Sequence, residues 1–363
     1  MKTTDYNSIL KQIDGVDPVA YGRSRNYRDG AVTRLSPYIS RGVISTKQVM
    51  ENMLGRGFSL PSIEKFIQEL AWRDYWQHVW ISKGDAINQD LRHPQPETEN
   101  HQIPQAIISA QTGIEAIDDG IRELYDTGYI HNHMRMYLAA LACNVAKSHW
   151  REPARWMYYY LLDADWASNA LSWQWVAGSN ANKKYVANQE NINKYFFTSQ
   201  TATYLDIPYS ELPTMDVPEA LRETQKLVLR TELPTSDELN IDEALPTLLY
   251  NYYNLDPNWY GKEDANRILL LEPSVFEQYP VSKNSIDFAL NLAKNITGIQ
   301  VFVGEFDELK NRIGPSKVIF KEHPLNRNYQ GKEEPREWMF SVTGYYRSFF
   351  AFWKKCKKEM KLW

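Results

Sequence analysis

The chain has little cysteine and no long apolar run. Only Cys143 and Cys356 occur among its 363 residues, which argues against a disulfide framework and against a Cys-based metal motif. No apolar segment follows the start of the chain, and no stretch approaches the roughly 20 apolar residues that span a bilayer. The composition therefore predicts a globular, cytoplasmic protein without membrane segments, in a compartment that can be reducing.

The sequence also lacks a strong net charge. Its formal charge is -4, from 41 Lys+Arg against 45 Asp+Glu, which gives no overall electrostatic case for nucleic-acid binding. The charge is uneven, because 201–270 is acidic and the end of the chain is basic. The basic end contains Lys354, Lys355, Lys357, Lys358 and Lys361. A nucleic-acid surface would have to be a local patch that folding creates.

Aromatic residues are abundant: they make up 13% of the chain and include 12 tryptophans. Segment 161–180 concentrates them, because it sets two aspartates and an asparagine among three tryptophans in what the pattern predicts to be one helix. These residues are Asp163, Asp165, Asn169, Trp166, Trp173 and Trp175. Such polar groups are costly to bury unless a partner satisfies them. We therefore interpret 161–180 as the wall of a cofactor cavity.

The pattern of apolar residues predicts three parts. Residues 1–200 are predicted to form a compact all-helical domain. Residues 201–265 are acidic and rich in proline, which predicts an extended connector with one or two short helices. In 266–363, strand, helix and strand at short spacing predict a small α/β (βαβ) domain, closed by a helix over 337–358. The expected fold class is mainly α with a small carboxyl-terminal α/β domain.

Two strings in the first 80 residues could bind ligands. In the first, hydroxyl groups of Thr33 and Ser36 and free N–H groups at a helix start would suit a phosphate, although the string alone is explained better by a simple helix cap. In the second, Glu69, Trp72 and Arg73 share a helix face. That face suits a stacked nucleobase, and the alternative is a surface ion pair above a core stripe.

A third string, 128–136, contains two histidines and an arginine. His131 and His133 are two residues apart, so they diverge on a helix and make a poor metal pair; we expect no metal. Arg135 is predicted to pair with Asp163 across neighbouring helices. Asn132 lies one helical turn from Arg135.

Together, these strings and 161–180 resemble the flavin-binding half of the DNA photolyases and cryptochromes. Trp150 lies 13 residues before Asp163, and Asp163-x-Asp165-x-x-x-Asn169-x-x-x-Trp173-Gln-Trp175 follows in the order of that family. The resemblance covers roughly 1–200 and is closest to the pattern of the cyclobutane pyrimidine dimer photolyases. It implies an all-helical photolyase-type domain that holds FAD in a folded conformation.

The resemblance also implies roles for single residues. Arg135 and Asp163 would pair against the isoalloxazine ring, and Asn169 would face flavin N5. The residues expected to bind FAD are Tyr21, Thr33, Arg34, Leu35, Ser36, Arg73, Asn132, Arg135, Asp163, Asp165 and Asn169. Those expected around the substrate are Glu69, Trp72, Asn132, Met136 and Trp175. Those expected to act in the reaction are Glu69, Asn169, Trp150 and Trp173, the two tryptophans as the first members of an electron relay.

The implied function is light-dependent DNA repair, in which photoexcited reduced FAD donates an electron and splits a cyclobutane pyrimidine dimer. This would make the protein a deoxyribodipyrimidine photolyase-like lyase whose partner is DNA containing pyrimidine dimers. The alternative is a cryptochrome-like blue-light sensor that binds FAD and repairs nothing. Neither function needs a metal or a membrane.

The sequence departs from the family in three places. Val32 stands where the family often has threonine. The position of the third relay tryptophan falls near Glu97, where there is none, so the relay either ends early or continues through another aromatic such as Trp156, Tyr158 or Tyr129, or through a residue of the carboxyl-terminal domain. Family members usually begin with an α/β domain that binds an antenna chromophore, whereas here the α/β unit follows the flavin domain. It is either a relocated version of that domain or an unrelated addition. It contains no glycine-rich nucleotide motif, so we expect no antenna chromophore.

Overall fold

The computed structural model describes residues 2–314 and 316–361. The chain forms two compact units, each made of separate stretches of sequence. We call residues 20–32 and 83–229 the helical unit. We call residues 1–19, 33–82 and 230–363 the mixed unit. The predicted domain boundaries at residues 200 and 265 stay a prediction.

Helices predominate over strands in the described residues. The α-helices are α1 Tyr6–Asp14, α2 Pro18–Ser24, α3 Ser36–Ser40, α4 Thr46–Gly55, α5 Leu60–Lys83, α6 Gln105–Ile108, α7 Glu115–Thr127, α8 Asn132–Ala140, α9 Arg151–Tyr160, α10 Trp166–Ala177, α11 Gln189–Phe196, α12 Pro273–Gln278, α13 Lys283–Ala293, α14 Phe306–Ile313 and α15 Phe349–Met360. The strands are β1 Ile103–Pro104, β2 Thr224–Gln225, β3 Thr247–Tyr250, β4 Asn266–Leu271, β5 Ile299–Val303, β6 Val318–Lys321 and β7 Lys332–Glu334. No described helix combines the length and apolar character needed to cross a membrane.

In the helical unit, α10 has both ends fixed by its own sequence. Asp165 is the N-cap, and its Oδ1 accepts a hydrogen bond from Ser168 N at 2.7 Å. Gly178 ends the helix in the left-handed region, with φ 87°. Between these caps nine of the twelve residues are buried, in agreement with the mixture of apolar, aromatic and amide side chains. The capped helix positions the polar residues of 161–180 in the interior of this unit.

One helix predicted in this unit differs from the sequence expectation. The apolar pattern of 131–148 predicts a helix over that range, but α8 ends at Ala140 and is followed by one π-helical turn, Leu141–Val145. Lys147 then adopts φ 52°, which ends the helical path. The spacing of apolar residues continues through this turn, so the sequence gives no sign that the α-helix ends at Ala140.

The mixed unit contains a five-stranded parallel sheet in the order β5-β4-β3-β6-β7. Counted along the chain this is the order 3-2-1-4-5, which is typical of doubly wound sheets. The core of the sheet includes Leu249, Ile268 and Leu270 packed with Phe306 and Leu309 of α14. The α/β region is therefore larger than the predicted βαβ unit.

Two predictions in the mixed unit need correction. Strand β3 lies at 247–250, inside the stretch predicted to be a connector. Its apolar run, 248–250, is too short to predict a strand from the sequence. The helix predicted over 337–358 forms only from Phe349 onward. Gly344 has φ 88°, which interrupts a helix, and Ser348 caps α15 by accepting from Ala351 N at 3.3 Å.

Candidate cofactor and substrate sites

A buried ion pair lies where α8 meets the turn between α9 and α10. Arg135 Nη2 donates to both carboxylate oxygens of Asp163, at 3.2 and 3.0 Å, and Arg135 Nε donates to Ile130 O at 3.1 Å. The guanidinium is thus held by a backbone carbonyl and a carboxylate together. A carboxylate as buried as that of Asp163 needs such a partner. The predicted pairing is confirmed; its position against a flavin stays a prediction.

Asn169 lies on α10, one turn after the cap Asp165. It is 8% exposed, and its Nδ2 donates to Ala154 O of α9 at 2.8 Å. That bond fixes the orientation of the amide, so Oδ1 is the polar atom left over. Among the residues that the structure describes, Oδ1 has no hydrogen-bond partner. Asn169 therefore offers an acceptor to a ligand that carries an N–H group.

The donor set of these residues is compatible with FAD. The guanidinium of Arg135, held by Asp163, can offset negative charge on a ring. The Oδ1 acceptor of Asn169 can orient an N–H group at the edge of that ring. One carboxylate oxygen of Asp165, Oδ1, already accepts a hydrogen bond as the N-cap of α10. Within 2–314 and 316–361, no group of three or more His, Cys, Asp or Glu side chains is arranged to hold a metal ion.

The three tryptophans predicted near the cofactor have different environments. Trp173 is buried in α10, whereas Trp175, two residues later on the helix, is 39% exposed. Trp150 is completely buried at the start of α9, and its indole Nε1 donates to Asp90 Oδ1 at 2.9 Å. The sequence reasoning missed Asp90, because it lies 60 positions earlier in a loop without a motif.

Asp90 also approaches a histidine next to Trp150. His149 Nε2 lies 3.4 Å from Asp90 Oδ1, and the His149 ring stacks on His101 with centroids 4.8 Å apart. Burial lowers the pKa of His149 although Asp90 acts in the opposite direction. Two aromatic residues considered as later members of the electron relay have other neighbours. Trp156 Nε1 donates to Tyr125 OH at 3.0 Å, and Tyr158 contacts Trp166 edge to face.

On α8, two residues predicted to contact the substrate reach the surface of the helical unit. Asn132 is exposed and Met136, one turn later on the same helix face, is partly exposed. Arg135 lies between them. Tyr21, the one predicted cofactor residue on α2 of this unit, is partly buried. These accessible positions are compatible with ligand contact, and their roles stay predictions.

The predicted FAD residues are divided between the two units. The helical unit contains Tyr21, Asn132, Arg135, Asp163, Asp165 and Asn169, and the mixed unit contains Thr33, Arg34, Leu35, Ser36 and Arg73. In the mixed unit, Thr33 Oγ1 accepts from Leu35 N at 3.3 Å, Leu35 is buried, and Arg34 is exposed with φ 54°. This is a turn that leads into the short helix α3. Its predicted phosphate contact stays a prediction.

Helix α5 carries the predicted base-stacking face. Glu69 forms an ion pair with Lys65 at 2.8 Å. The Trp72 ring stacks on Phe349 of α15, with centroids 3.7 Å apart and planes inclined by 11°. One face of Trp72 is therefore covered by the chain itself, and Trp76 lies 5.2 Å away at a tilt. A base that stacks on Trp72 needs the ring's other face.

The carboxyl end of the sheet is where doubly wound folds bind nucleotides, at the switch point between β3 and β6. Here the loop after β3 packs against Arg41, which is fully buried with its guanidinium carbon 3.6 Å from the centre of the Tyr252 ring. His323, which follows β6, stacks on Tyr253 at 4.5 Å. Trp80 meets His323 edge to face. Side chains of the chain itself occupy this end of the sheet.

Comparison with known proteins identifies one segment directly. Residues 66–203 match the family model described as the FAD binding domain of DNA photolyase. Among curated proteins, the chain is 33% identical over 172 residues to a deoxyribodipyrimidine photo-lyase of Streptomyces griseus, covering 45% of this chain and 37% of the relative. It is 30% identical over 181 residues to that of Agrobacterium fabrum, covering 47% and 38%.

Solved structures give similar matches. A cryptochrome of Synechocystis sp. PCC6803 matches with 25% identity and a TM-score of 0.46, over 52% of this chain and 43% of that one. A class III photolyase of Agrobacterium tumefaciens matches with 26% identity and a TM-score of 0.43, over 53% and 42%. The chain spans less than half the length of these proteins. The predicted family resemblance and the predicted cofactor, FAD, are confirmed by the match of residues 66–203.

Proposed function

We propose that the protein repairs DNA in light, because residues 66–203 match the family model of the FAD binding domain of DNA photolyase. The reaction is the splitting of cyclobutane pyrimidine dimers. The observation that carries the proposal is the group formed by the Arg135–Asp163 ion pair and the fixed amide of Asn169. A partly exposed guanidinium held by a buried carboxylate, and an acceptor without a partner in the described chain, suit a ring that is both charged and protonated.

FAD, when bound, supplies the photoexcited electron donor. The chain's own residues bind and tune it. Arg135 would lower the free energy of negative charge on the reduced ring, because its guanidinium is held in position by Asp163 and by Ile130 O. Asn169 Oδ1 would accept a hydrogen bond from an N–H group of the ring and hold that proton in place. Asp165 is already the cap of α10, so its position is fixed before any ligand arrives.

The substrate residues would hold a dimer outside the duplex. A damaged pair stacks poorly, which lowers the free energy needed to extrude it. Trp175 and Met136 offer apolar contact to the pyrimidine rings, and Asn132 and Glu69 offer polar atoms to their edges. Trp150 and Trp173, both buried, would supply electrons to the oxidised cofactor in preparation for repair.

A second function, light sensing without repair, is favoured by one observation. Phe349 covers a face of Trp72, which a repair pocket would be expected to leave open. In a cryptochrome-like sensor, FAD would bind in the same way and Trp72 would be a packing residue of the mixed unit. Under this function the substrate residues have no shared task.

One experiment separates the two functions. The purified protein is examined for flavin absorbance and then illuminated, with a thiol reductant, in the presence of an oligonucleotide that carries one thymine dimer. Loss of the dimer in light but not in the dark supports repair. Flavin without dimer loss leaves light sensing, and absence of flavin rejects both functions.

A matched pair of variants tests the substrate role. We expect Glu69→Ala to lower the dimer-splitting yield while flavin content stays unchanged. Glu51→Ala removes an exposed carboxylate from α4 and should alter neither quantity. Equal yields in the two variants would reject the role of Glu69.

A further inference from the structure

Helix α15 has two faces of different character. Its inner face is buried in the mixed unit and is formed by Phe349, Phe352, Trp353, Cys356 and Met360. Its outer face is exposed and is formed by Phe350, Ala351, Lys354, Lys355, Lys357 and Lys358, with Lys361 following the helix. Phe350 is 66% exposed, which is unusual for so large an apolar side chain. The outer face therefore combines lysines with one aromatic ring.

The outer face carries charge of one sign. Lys357 forms an exposed ion pair with Glu64 at 3.3 Å. Glu359, the one acidic residue of the helix, accepts from Ser341 N and Ser341 Oγ at 3.0 and 2.8 Å. Lys354, Lys355 and Lys358 have no ion-pair partner within 2–314 and 316–361. On a chain of formal charge -4, these three lysines make a local basic patch.

The basic face begins beside the residue proposed to stack on a base. Phe349, the first residue of α15, stacks on Trp72, and the ring of Phe350 lies 6.4 Å from Trp72 in an edge-on orientation. Tyr75 OH donates to Tyr346 O at 3.1 Å and fixes the segment that precedes the helix against α5. From Trp72 the helix runs for 12 residues, about 18 Å, which is long enough to follow several phosphates.

We propose that the outer face of α15 binds the phosphodiester backbone of nucleic acid. Lys354, Lys355 and Lys358 contact phosphates, and Phe350 packs on a base or sugar next to them. The choice of nucleic acid rests on the proposed function. An anionic membrane is disfavoured, because a helix that lies in a membrane inserts its apolar face, and here that face is buried in protein.

The test measures binding in the dark, without repair. A duplex oligonucleotide without damage is titrated with the full chain over a range of salt concentrations, for the parent and for the triple variant Lys354→Gln, Lys355→Gln, Lys358→Gln. Each phosphate contact on duplex DNA contributes about 0.9 to the slope of log Kd against log salt, so we expect the slope to fall by about 2 to 3. Glutamine keeps the helix propensity, and thermal melting checks folding.

The matched control is a triple variant with the same change in charge. Lys262, Lys294 and Lys310 are exposed lysines outside α15, and their replacement by glutamine should leave the slope unchanged. An equal fall in both triple variants would mean that net charge alone is responsible and would overturn the proposal. So would an unchanged slope in the α15 variant, or a parent protein that does not bind DNA.

A second probe distinguishes nucleic acid from lipid. Vesicles of phosphatidylcholine with phosphatidylserine should bind neither the parent nor the α15 variant. If the α15 variant loses vesicle binding but binds DNA like the parent, the proposal is overturned in favour of a membrane surface. The outcome is independent of repair: a lower slope in a protein that splits no dimers keeps this surface and rejects the proposed function.

Discussion

Each of the two units buries a carboxylate, one with a charged partner and the other with neutral hydrogen-bond donors. In the helical unit, Asp163 is held by the guanidinium of Arg135. In the mixed unit, Asp74 is 5% exposed and accepts from Thr46 Oγ1 at 2.9 Å and from Met339 N at 3.1 Å. Burial raises the pKa of Asp74 to about 6, against the effects of its hydrogen bonds and of nearby arginines.

The difference indicates what each carboxylate does. Asp74 links the segment around Met339 to α5 by accepting hydrogen bonds from neutral donors, so this contact needs no charged partner. Asp163 is a buried carboxylate paired with the partly exposed guanidinium of Arg135, which a packing role does not need, because apolar residues of similar volume are often as stabilising. The helical unit thus contains both a charged pair and an amide acceptor without a described partner, and both could bind a polar ligand.

The same contrast holds for the two places where nucleotides could bind. At the carboxyl end of the sheet, Arg41 packs on Tyr252 and His323 stacks on Tyr253. In the helical unit, Asn169 Oδ1 faces no described partner. One place is filled by the chain's own side chains, and the other offers an unused polar atom.

The largest expected effect is that of removing Arg135. Arg135→Met leaves the buried Asp163 carboxylate without its partner, so we expect the free energy of unfolding to fall by about 3 to 5 kcal/mol in urea titrations. The control is Arg122→Met on α7, whose ion pair with Asp119 is exposed. That change should cost less than about 1 kcal/mol. Similar losses in both variants would show that Asp163 does not depend on its pair.

The next effect is on pH dependence in the mixed unit. Because the pKa of Asp74 is about 6 when folded and near 3.8 when unfolded, its contribution to stability is complete at low pH and is lost as the pH rises from about 4 through 6. Asp74→Asn removes this loss. From pH 4 to pH 7, we expect the stability of the variant relative to the parent to rise by up to about 3 kcal/mol.

This effect is measured as the difference between the urea titrations of parent and variant at each pH, because other groups titrate equally in both. The conservative control is Asp14→Asn, an exposed aspartate that accepts from Asn52 Nδ2. Its difference from the parent should not change over the same range. A flat difference for Asp74→Asn would mean that Asp74 is not the buried titrating group.

A smaller effect is expected at Asn169. Asn169→Ala leaves Ala154 O without its donor, which should lower the free energy of unfolding by about 1 to 2 kcal/mol. If the amide also orients the flavin, the protonated one-electron form of the bound cofactor should become less stable. Spectra recorded during stepwise photoreduction measure this. An unchanged yield of that form would remove Asn169 from the cofactor site and leave it a structural residue.

The smallest expected effect concerns the partner of Trp150. Asp90→Asn keeps an acceptor for the indole N–H but removes the charge, so we expect stability to change by about 1 kcal/mol or less. Photoreduction should slow, because the carboxylate no longer stabilises positive charge on the indole. Rates measured for Asp90→Asn and for Asp119→Asn, an exposed aspartate on α7, make the comparison. Equal rates would contradict a role for Asp90.

Much of the helical site could be predicted because its signals are local. The residues of 161–180 were predicted to lie on one helix; α10 starts only at Trp166, so Asp163 precedes the helix, Asp165 caps it and Asn169 lies one turn inside it. The pairing of Arg135 with Asp163 followed from the opposite charges on predicted neighbouring helices. These features depend on residues whose types are unusual in a buried helix.

What the sequence did not reveal depends on long-range contacts or on weak patterns. The Trp150–Asp90 bond joins residues far apart in the chain. Strand β7, Lys332–Glu334, is polar and therefore carries no apolar alternation. The start of α15 was placed too early, because the aromatic spacing continues upstream through Gly344, whose positive φ ends the helical pattern.

The flavin content of three purified proteins, the parent, Arg135→Met and Arg122→Met, tests the central claim most directly. If FAD binds against the Arg135–Asp163 pair, the parent and Arg122→Met carry flavin in equal amounts and Arg135→Met carries far less. Equal flavin in all three proteins would contradict this position of the cofactor, and a parent without flavin would contradict the site altogether.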